Sequence, residues 1–220
     1  MARILITSGP TRQYLDPVRY LTNASSGRMG KALAEAALAL GHDVVIVSGP
    51  VEVQYPAAAR VRSVISTEEM LEVCREEFPA CDGVIGTAAP CDYRPVRVEP
   101  HKIAKTGEPI VLHLIETADV IATLGQEKHA GQWLVGFALE TEDHRLRALA
   151  KLEKKSCSLM VLNGTEAMNA RDNTVEILDP QGNIVAAYSG PKEEVAVGIL
   201  SIIQSRLVEP ATSPGEPSRP

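Results

Sequence analysis

Short continuous apolar runs alternate along the chain with stretches of helical periodicity, and that alternation predicts the elements. Ile4, Leu5 and Ile6 form a run suited to a strand buried on both faces, and Ser8-Gly9-Pro10 breaks it. A long, polar, arginine-bearing loop follows. Ser25-Ser26-Gly27 then leads into an Ala- and Leu-rich stretch that predicts a helix from Met29 to Leu40, with Gly41 placed to end it in the left-handed conformation. Asp43 to Val47 and Val61 to Ile65 predict the second and third strands. Ser66-x-x-Glu69 makes a capping box for a helix reaching Phe78, and Gly83 to Thr87 supplies the fourth strand. Further on, Ile110 to Ile115, Trp133 to Val135 and Leu159 to Leu162 read as strands. Helices are expected from Asp119 to Lys128, with Thr117 as its cap, and from about Glu142 to Lys155, which puts Lys151 and Lys155 one turn apart on one face. Thr174 to Leu178 and Ile184 to Tyr188 flank the turn sequence Asp179-Pro180-Gln181-Gly182-Asn183 and predict an antiparallel hairpin. Lys192 to Leu207 gives the last helix.

Strands and helices in this succession imply an α/β fold of Rossmann-like, doubly wound type, with a mostly parallel sheet, a late antiparallel hairpin and ligands at the carboxyl ends of the strands. One domain is expected over residues 1–207, followed by a Pro- and Ser-rich tail over 208–220 with too few apolar residues to fold. Between the strand at Gly83 and that at Ile110, Arg94 to Pro109 is rich in Pro, Gly and charge. It has the composition of a mobile lid and carries Lys102 and Lys105.

Composition narrows the function. The net charge of −6 and pI near 5.4 argue against a nucleic-acid partner. No stretch reaches the length of a membrane helix, and Met-Ala-Arg before a strand is no signal peptide, so a cytoplasmic location is expected. Cys74, Cys81, Cys91 and Cys157 show neither metal-site nor disulfide spacing and read as reduced packing residues.

The stretch from Ile4 to Gly30 joins a strand to a helix N-terminus, whose unpaired N–H groups and positive dipole end suit phosphate. Small residues at Ser25, Ser26 and Gly27 let backbone donors approach an anion closely. Asn23, just upstream, is either a turn or cap residue or a ligand contact. A P-loop signature is absent, as are a compact G-x-G-x-x-G after the first strand and an acid after the second. Those absences weigh against a Rossmann-type NAD(P)-dependent oxidoreductase, one alternative; a non-catalytic nucleotide-binding module is another.

The segments GPTRQYLDPVRYLTNASSGRMG, GTAAPCDYRP, PHKIAK, TADVIA, VGFALET, Lys151 to Lys155 and VLNG, in that order, resemble the phosphopantothenoylcysteine synthetase family, the ligases of coenzyme A biosynthesis. The resemblance covers nearly everything before the tail. It implies a ligase that joins 4′-phosphopantothenate to L-cysteine through an acyl-cytidylate, using CTP with Mg²⁺ on the triphosphate. It implies nucleotide contacts at Ser25, Ser26 and Gly27, at Gly86, Thr87 and Ala88, at Asp92 and Lys102, at Asp119, Val120, Ile121 and Ala122, and at Phe137, Lys151 and Lys155. Asn23 and Lys102 are the implied catalytic residues. Taken singly, Phe137 reads equally as core, the two lysines as a solvated helix face and Asp92 as a turn residue. The resemblance also implies a homodimer, through the late hairpin or the strand at Ile110 to Ile115. It further implies either fusion to a flavin-dependent decarboxylase or association with a separate one, the chain being a stand-alone ligase or one domain of a fused protein. Two departures stand out: Ala104 where the family's loop carries a third lysine, and Pro90-Cys91 before Asp92-Tyr93, where Pro90 removes a donor.

Overall fold

The computed structural model describes residues 1–139, 144–163 and 172–209. Strand β1 (Arg3–Ser8) is buried along almost all its length and pairs in parallel on both sides, with β4 (Asp43–Ser48) and β6 (Gly83–Gly86). Beyond β4 lies β5 (Arg60–Ser63); beyond β6 lie β9 (Trp133–Leu139) and β10 (Leu159–Asn163), all parallel. The hairpin of β11 (Asp172–Leu178) and β12 (Ile184–Pro191) adds two antiparallel strands, giving the order β12-β11-β10-β9-β6-β1-β4-β5. Strand order reverses between β1 and β6, so the crevice at their carboxyl ends is the topological switch point, where open α/β sheets bind ligands.

Both faces of the sheet are covered, which is why the strands read as unbroken apolar runs rather than alternating ones. Ile4, Ile6, Val44 and Ile46 pack with α1 (Arg28–Ala39) and α5 (Lys192–Ile203). Leu5, Val45 and Val47 pack with α2 (Thr67–Glu77), α3 (Val120–Glu127) and α4 (His144–Lys154). Two glycines permit close approach between elements. A Cβ on Gly30 of α1 would lie 2.2 Å from Ser8 Oγ, and one on Gly83 would lie 2.1 Å from the Trp133 ring. Ser66 caps α2 as expected, its Oγ accepting from the Glu69 N–H at 3.1 Å, but the Glu69 carboxylate accepts from the Ile65 N–H at 2.7 Å, one residue before the cap.

The structure corrects the sequence expectations in several places. The polar loop after β1 contains a hairpin, β2 (Arg12–Asp16) and β3 (Arg19–Thr22). Its turn is closed by Asp16, and Tyr20 packs edge-on to Tyr14 under the Arg12 guanidinium. The strand expected from Ile110 to Ile115 is shorter and shifted: β8 (Leu114–Glu116) pairs antiparallel with β7 (Tyr93–Pro95) in a separate ribbon, and Ile110 to Leu112 are exposed without a sheet partner. An apolar run alone does not make a strand when no neighbour supplies the ladder. Asp119, not Thr117, caps α3, because the Thr117 hydroxyl is taken by the Cys91 carbonyl. The last helix ends at Ile203 in a π-helical turn over Gln204–Val208. Glu140, Thr141, the start of the helix expected from Glu142, Gly164 and the tail from 210 onward lie outside the described residues.

Candidate functional site

Threonine hydroxyls and main-chain groups stitch the switch point together. Thr87 donates its hydroxyl to the Thr7 carbonyl at 2.6 Å, and the Ala88 N–H reaches Thr7 Oγ1 at 3.3 Å. The Ala89 N–H bonds the Gly9 carbonyl at 2.9 Å and the Cys91 N–H bonds Thr11 Oγ1 at 2.7 Å. The Cys91 carbonyl then accepts from Thr117 at 2.7 Å and from Thr67 at 3.1 Å. Pro90 has no N–H to give; its carbonyl instead accepts from Asn23 Nδ2 at 2.8 Å. The Pro90-Cys91 departure is thereby absorbed into a loop held from β1, the α1 entry, α2 and the α3 entry.

The start of α1 borders the same region. Gly27 adopts φ 73°, a conformation cheap only for residues without a bulky Cβ, and supplies no side-chain cap; the first turn holds no acid. Behind it, Tyr55 donates to Ser8 Oγ at 2.8 Å and Ser8 donates to the Gly27 carbonyl at 3.3 Å. That relay fixes the glycine turn against the end of β1.

At the carboxyl ends of β6 and β9 opens a cavity of about 430 Å³. It brings together Gly86, Ala88, Asp92, Asp119, Val120, Ile121, Phe137 and Lys155 from the predicted set, with Thr7, Tyr93, Glu116 and Lys154 beside them. Asp92 is exposed on the wall and Phe137 half-buried. Lys155 is aimed by the way α4 ends. Its N–H still bonds the Lys151 carbonyl at 2.9 Å, Ser156 turns left-handed at φ 50°, and Lys155 Nζ meets Asp119 Oδ2 at 3.1 Å. Asp119 also accepts the Ala122 N–H at 3.0 Å. Burial alone would raise the Asp119 pKa, but that hydrogen bond and the Lys155 ammonium outweigh it and hold the carboxyl below its usual value. The wall is therefore a carboxylate–ammonium pair at the start of α3, able to present positive charge to an anion and an acceptor to a base edge.

Other predicted residues lie elsewhere. Asn23, Ser25, Ser26 and Gly27 stand at the α1 entry rather than on the cavity wall, and Thr87 turns its hydroxyl toward β1. The Ala122 N–H is engaged by Asp119, and Lys151 sits on α4 and is not part of the lining. Lys102 lines a second cavity of about 640 Å³ with Leu15, Val96, His101 and Ile103. Sequence reasoning passed over Thr7, Thr11, Glu116 and Lys154. Thr7 had a signal, since it ends the first apolar run where a doubly wound sheet binds ligands; the others gave none.

All four cysteines are buried and unpaired. Burial pushes the Cys74 and Cys157 thiols up to about 12 and Cys81 to about 11, which leaves them protonated and non-nucleophilic at neutral pH. Among the described residues there is no group of three or more His, Cys, Asp or Glu placed to hold a metal ion, and no helix long and apolar enough to cross a membrane.

Residues 1–207 match the family described as DNA/pantothenate metabolism flavoprotein C-terminal domain. The chain is 37% identical over 210 residues to the coenzyme A biosynthesis bifunctional protein CoaBC of Vibrio vulnificus, covering 93% of this chain and 52% of that one. It is 40% identical over 204 residues to a cysteine/cysteine sulfinic acid decarboxylase of an unknown prokaryotic organism, covering 90% and 56%. The chain thus spans about half the length of these curated relatives. Among solved structures it is similar to the C-terminal domain of a bifunctional protein CoaBC, with a TM-score of 0.77, 39% identity, and 92% and 93% of the two chains covered. On that match over nearly its whole described length, the chain belongs to the DNA/pantothenate metabolism flavoprotein C-terminal domain family.

Proposed function

We propose that the chain is a phosphopantothenate–cysteine ligase of coenzyme A biosynthesis that uses CTP. The observation that carries the reading is the convergence of Gly86, Ala88, Asp92, Asp119, Phe137 and Lys155 on one cavity at the switch point, in a chain 39% identical to the C-terminal domain of a bifunctional CoaBC. The cytosine would lie between Phe137 and the loop after β6, with the triphosphate toward Lys155 and the α1 entry. Mg²⁺ enters with the triphosphate as part of the substrate. The carboxylate of 4′-phosphopantothenate attacks the α-phosphorus and the bond to pyrophosphate breaks, giving an acyl-cytidylate. The amine of L-cysteine then attacks the acyl carbon, loses a proton and expels CMP. Lys155 and Lys102 offset charge as pyrophosphate departs, and Asn23 donates to the acyl carbonyl as it gains charge.

One equivalent of pyrophosphate released with CTP and phosphopantothenate alone, and sustained release only when cysteine is added, tests the reading. Nucleotide-independent loss of CO₂ from cysteine, the activity named for one relative as a whole protein, would overturn it. Asn23→Ala should slow amide formation by roughly 10²–10³, with a far smaller loss of CTP affinity by calorimetry. A normal rate in that variant would leave Asn23 with only its bond to Pro90. We also read the chain as a homodimer. Exposed Val18, Val96, Val98, Ile110, Val111 and Leu114 support this, because apolar side chains on one arm are expensive to leave in water. A decarboxylase acting on the product, fused or separate, is the expected partner.

A further inference from the structure

Asp16, at the end of β2, has a fully buried side chain on which four donors converge. Oδ1 accepts the N–H groups of Val18 at 2.8 Å and Arg19 at 2.9 Å; Oδ2 accepts Arg19 Nη1 and, at 3.0 Å, the N–H of Ile103. The first three are local and would close the hairpin turn unaided. The fourth comes from 87 residues away, from the peptide next to Lys102. A second tie joins the Glu99 N–H to the Leu15 carbonyl at 2.9 Å, so the two bonds bracket Lys102. Among the described residues, both main-chain ties from the 97–112 stretch to the rest of the fold run to this hairpin.

We propose that Asp16 is a positioning residue for Lys102: it grips the following peptide, fixes where the lysine stem begins and serves as the pivot about which the rest of the loop moves. Lys102 lies beside the hairpin in its own cavity, apart from the one at the switch point, and a fixed pivot lets a swing of the loop carry its ammonium in a defined arc. Burial by itself would raise the Asp16 pKa, but the Ile103, Val18 and Arg19 contacts hold it at about 2, so the grip is ionised at every working pH. This role rests on the reading of Lys102 as a phosphate-facing lysine of the ligase.

Two variants of the full chain test it. Asp16→Asn keeps the shape but places an amide donor against existing donors. Ile103→Pro deletes the distant N–H and leaves the hairpin carboxylate untouched, while also removing the Ile103 side chain and restricting the backbone at Lys102, so Ile103→Ala, which keeps the N–H, is its control. Asp16→Asn and Ile103→Pro should each speed proteolytic cleavage within 97–112 and lower kcat for pyrophosphate release by on the order of 10–10²-fold, the usual scale for a displaced catalytic group, with KM for CTP changed far less. In a Lys102→Ala background neither should lower kcat further. Equal slowing in both backgrounds, or cleavage as slow as in wild type for Ile103→Pro, would overturn the proposal. A wild-type chain that releases no pyrophosphate would instead overturn the ligase reading itself, and the two failures are thereby told apart.

Discussion

The helices α1 and α3 both start at the carboxyl edge of the sheet, but their N-termini are finished in opposite ways. At α3 the fold supplies its own anion: Asp119 caps the helix through the Ala122 N–H and is in turn neutralised by Lys155. At α1 the cap is Gly27 in the left-handed conformation, with no side-chain acceptor and no acid in the first turn. Satisfying the helix locally stabilises the fold. Leaving the donors unanswered costs stability and keeps an electropositive end for something brought from outside. One terminus has become a wall that orients a lysine, and the other we propose as a socket for an anion.

The socket depends on how closely α1 approaches β1, and the strongest way to break the comparison is to push them apart. Gly30→Ala puts a methyl 2.2 Å from Ser8 Oγ, and overpacking of this kind costs roughly 1–3 kcal/mol. The melting temperature should fall and the proposed ligase activity should fall with it. A variant with unchanged Tm would mean that the contact is softer than its distance implies. A smaller change sharpens the contrast: Gly27→Asp gives α1 the kind of carboxylate that α3 has. Asp tolerates the left-handed conformation better than most residues, but its Cβ would lie 2.9 Å from a Val51 methyl and 3.2 Å from the Tyr55 hydroxyl, so Gly27→Asn, which brings the same crowding without the charge, is the reference; a charge at a helix end is worth about 0.3–1 kcal/mol. Nucleotide affinity measured by calorimetry should drop by about that amount relative to Gly27→Asn, and the same affinity in both variants would remove the α1 start from the site.

At α3 the expected effect is on stability rather than on affinity. Asp119→Ala removes a cap, which typically costs about 1 kcal/mol in denaturant unfolding. The folded-state pKa of Asp119 lies below its ordinary value of 3.8, so its stabilisation is complete above that value and disappears as pH falls through the depressed one. The gap between wild type and variant should therefore stay constant near neutrality and close only in strong acid. Because the side chain is 39% exposed, salt should narrow the gap as well. A gap that instead widened on acidification would contradict the ion pair with Lys155.

Much of this architecture is legible in the sequence because its cause is local. Ile4 to Ile6, Asp43 to Val47 and Leu159 to Leu162 are apolar runs with room for both faces to be buried, and each becomes a parallel strand. The β2–β3 hairpin escaped notice although Asp16-Pro17 is a turn signal, because the flanking residues are polar and aromatic and pair in a ribbon outside the main sheet. Ile110 to Leu112 misled for the opposite reason, being apolar without a ladder. Within the site, Asp119 and Lys155 stand far apart in sequence, and no spacing rule relates the start of one helix to the end of another. The tie between Asp16 and Ile103 lies still further beyond such rules.

The packing of Trp133 over Gly83 has an experimental use. This single tryptophan begins β9 at the amino edge of the sheet, 5% exposed, while the cavity begins three residues on, at Gly136 and Phe137. Its indole is a native optical gauge for the sheet alone. Emission should shift only when the fold opens and stay constant as nucleotide is added, so stability and ligand affinity can be measured separately on the unlabelled protein.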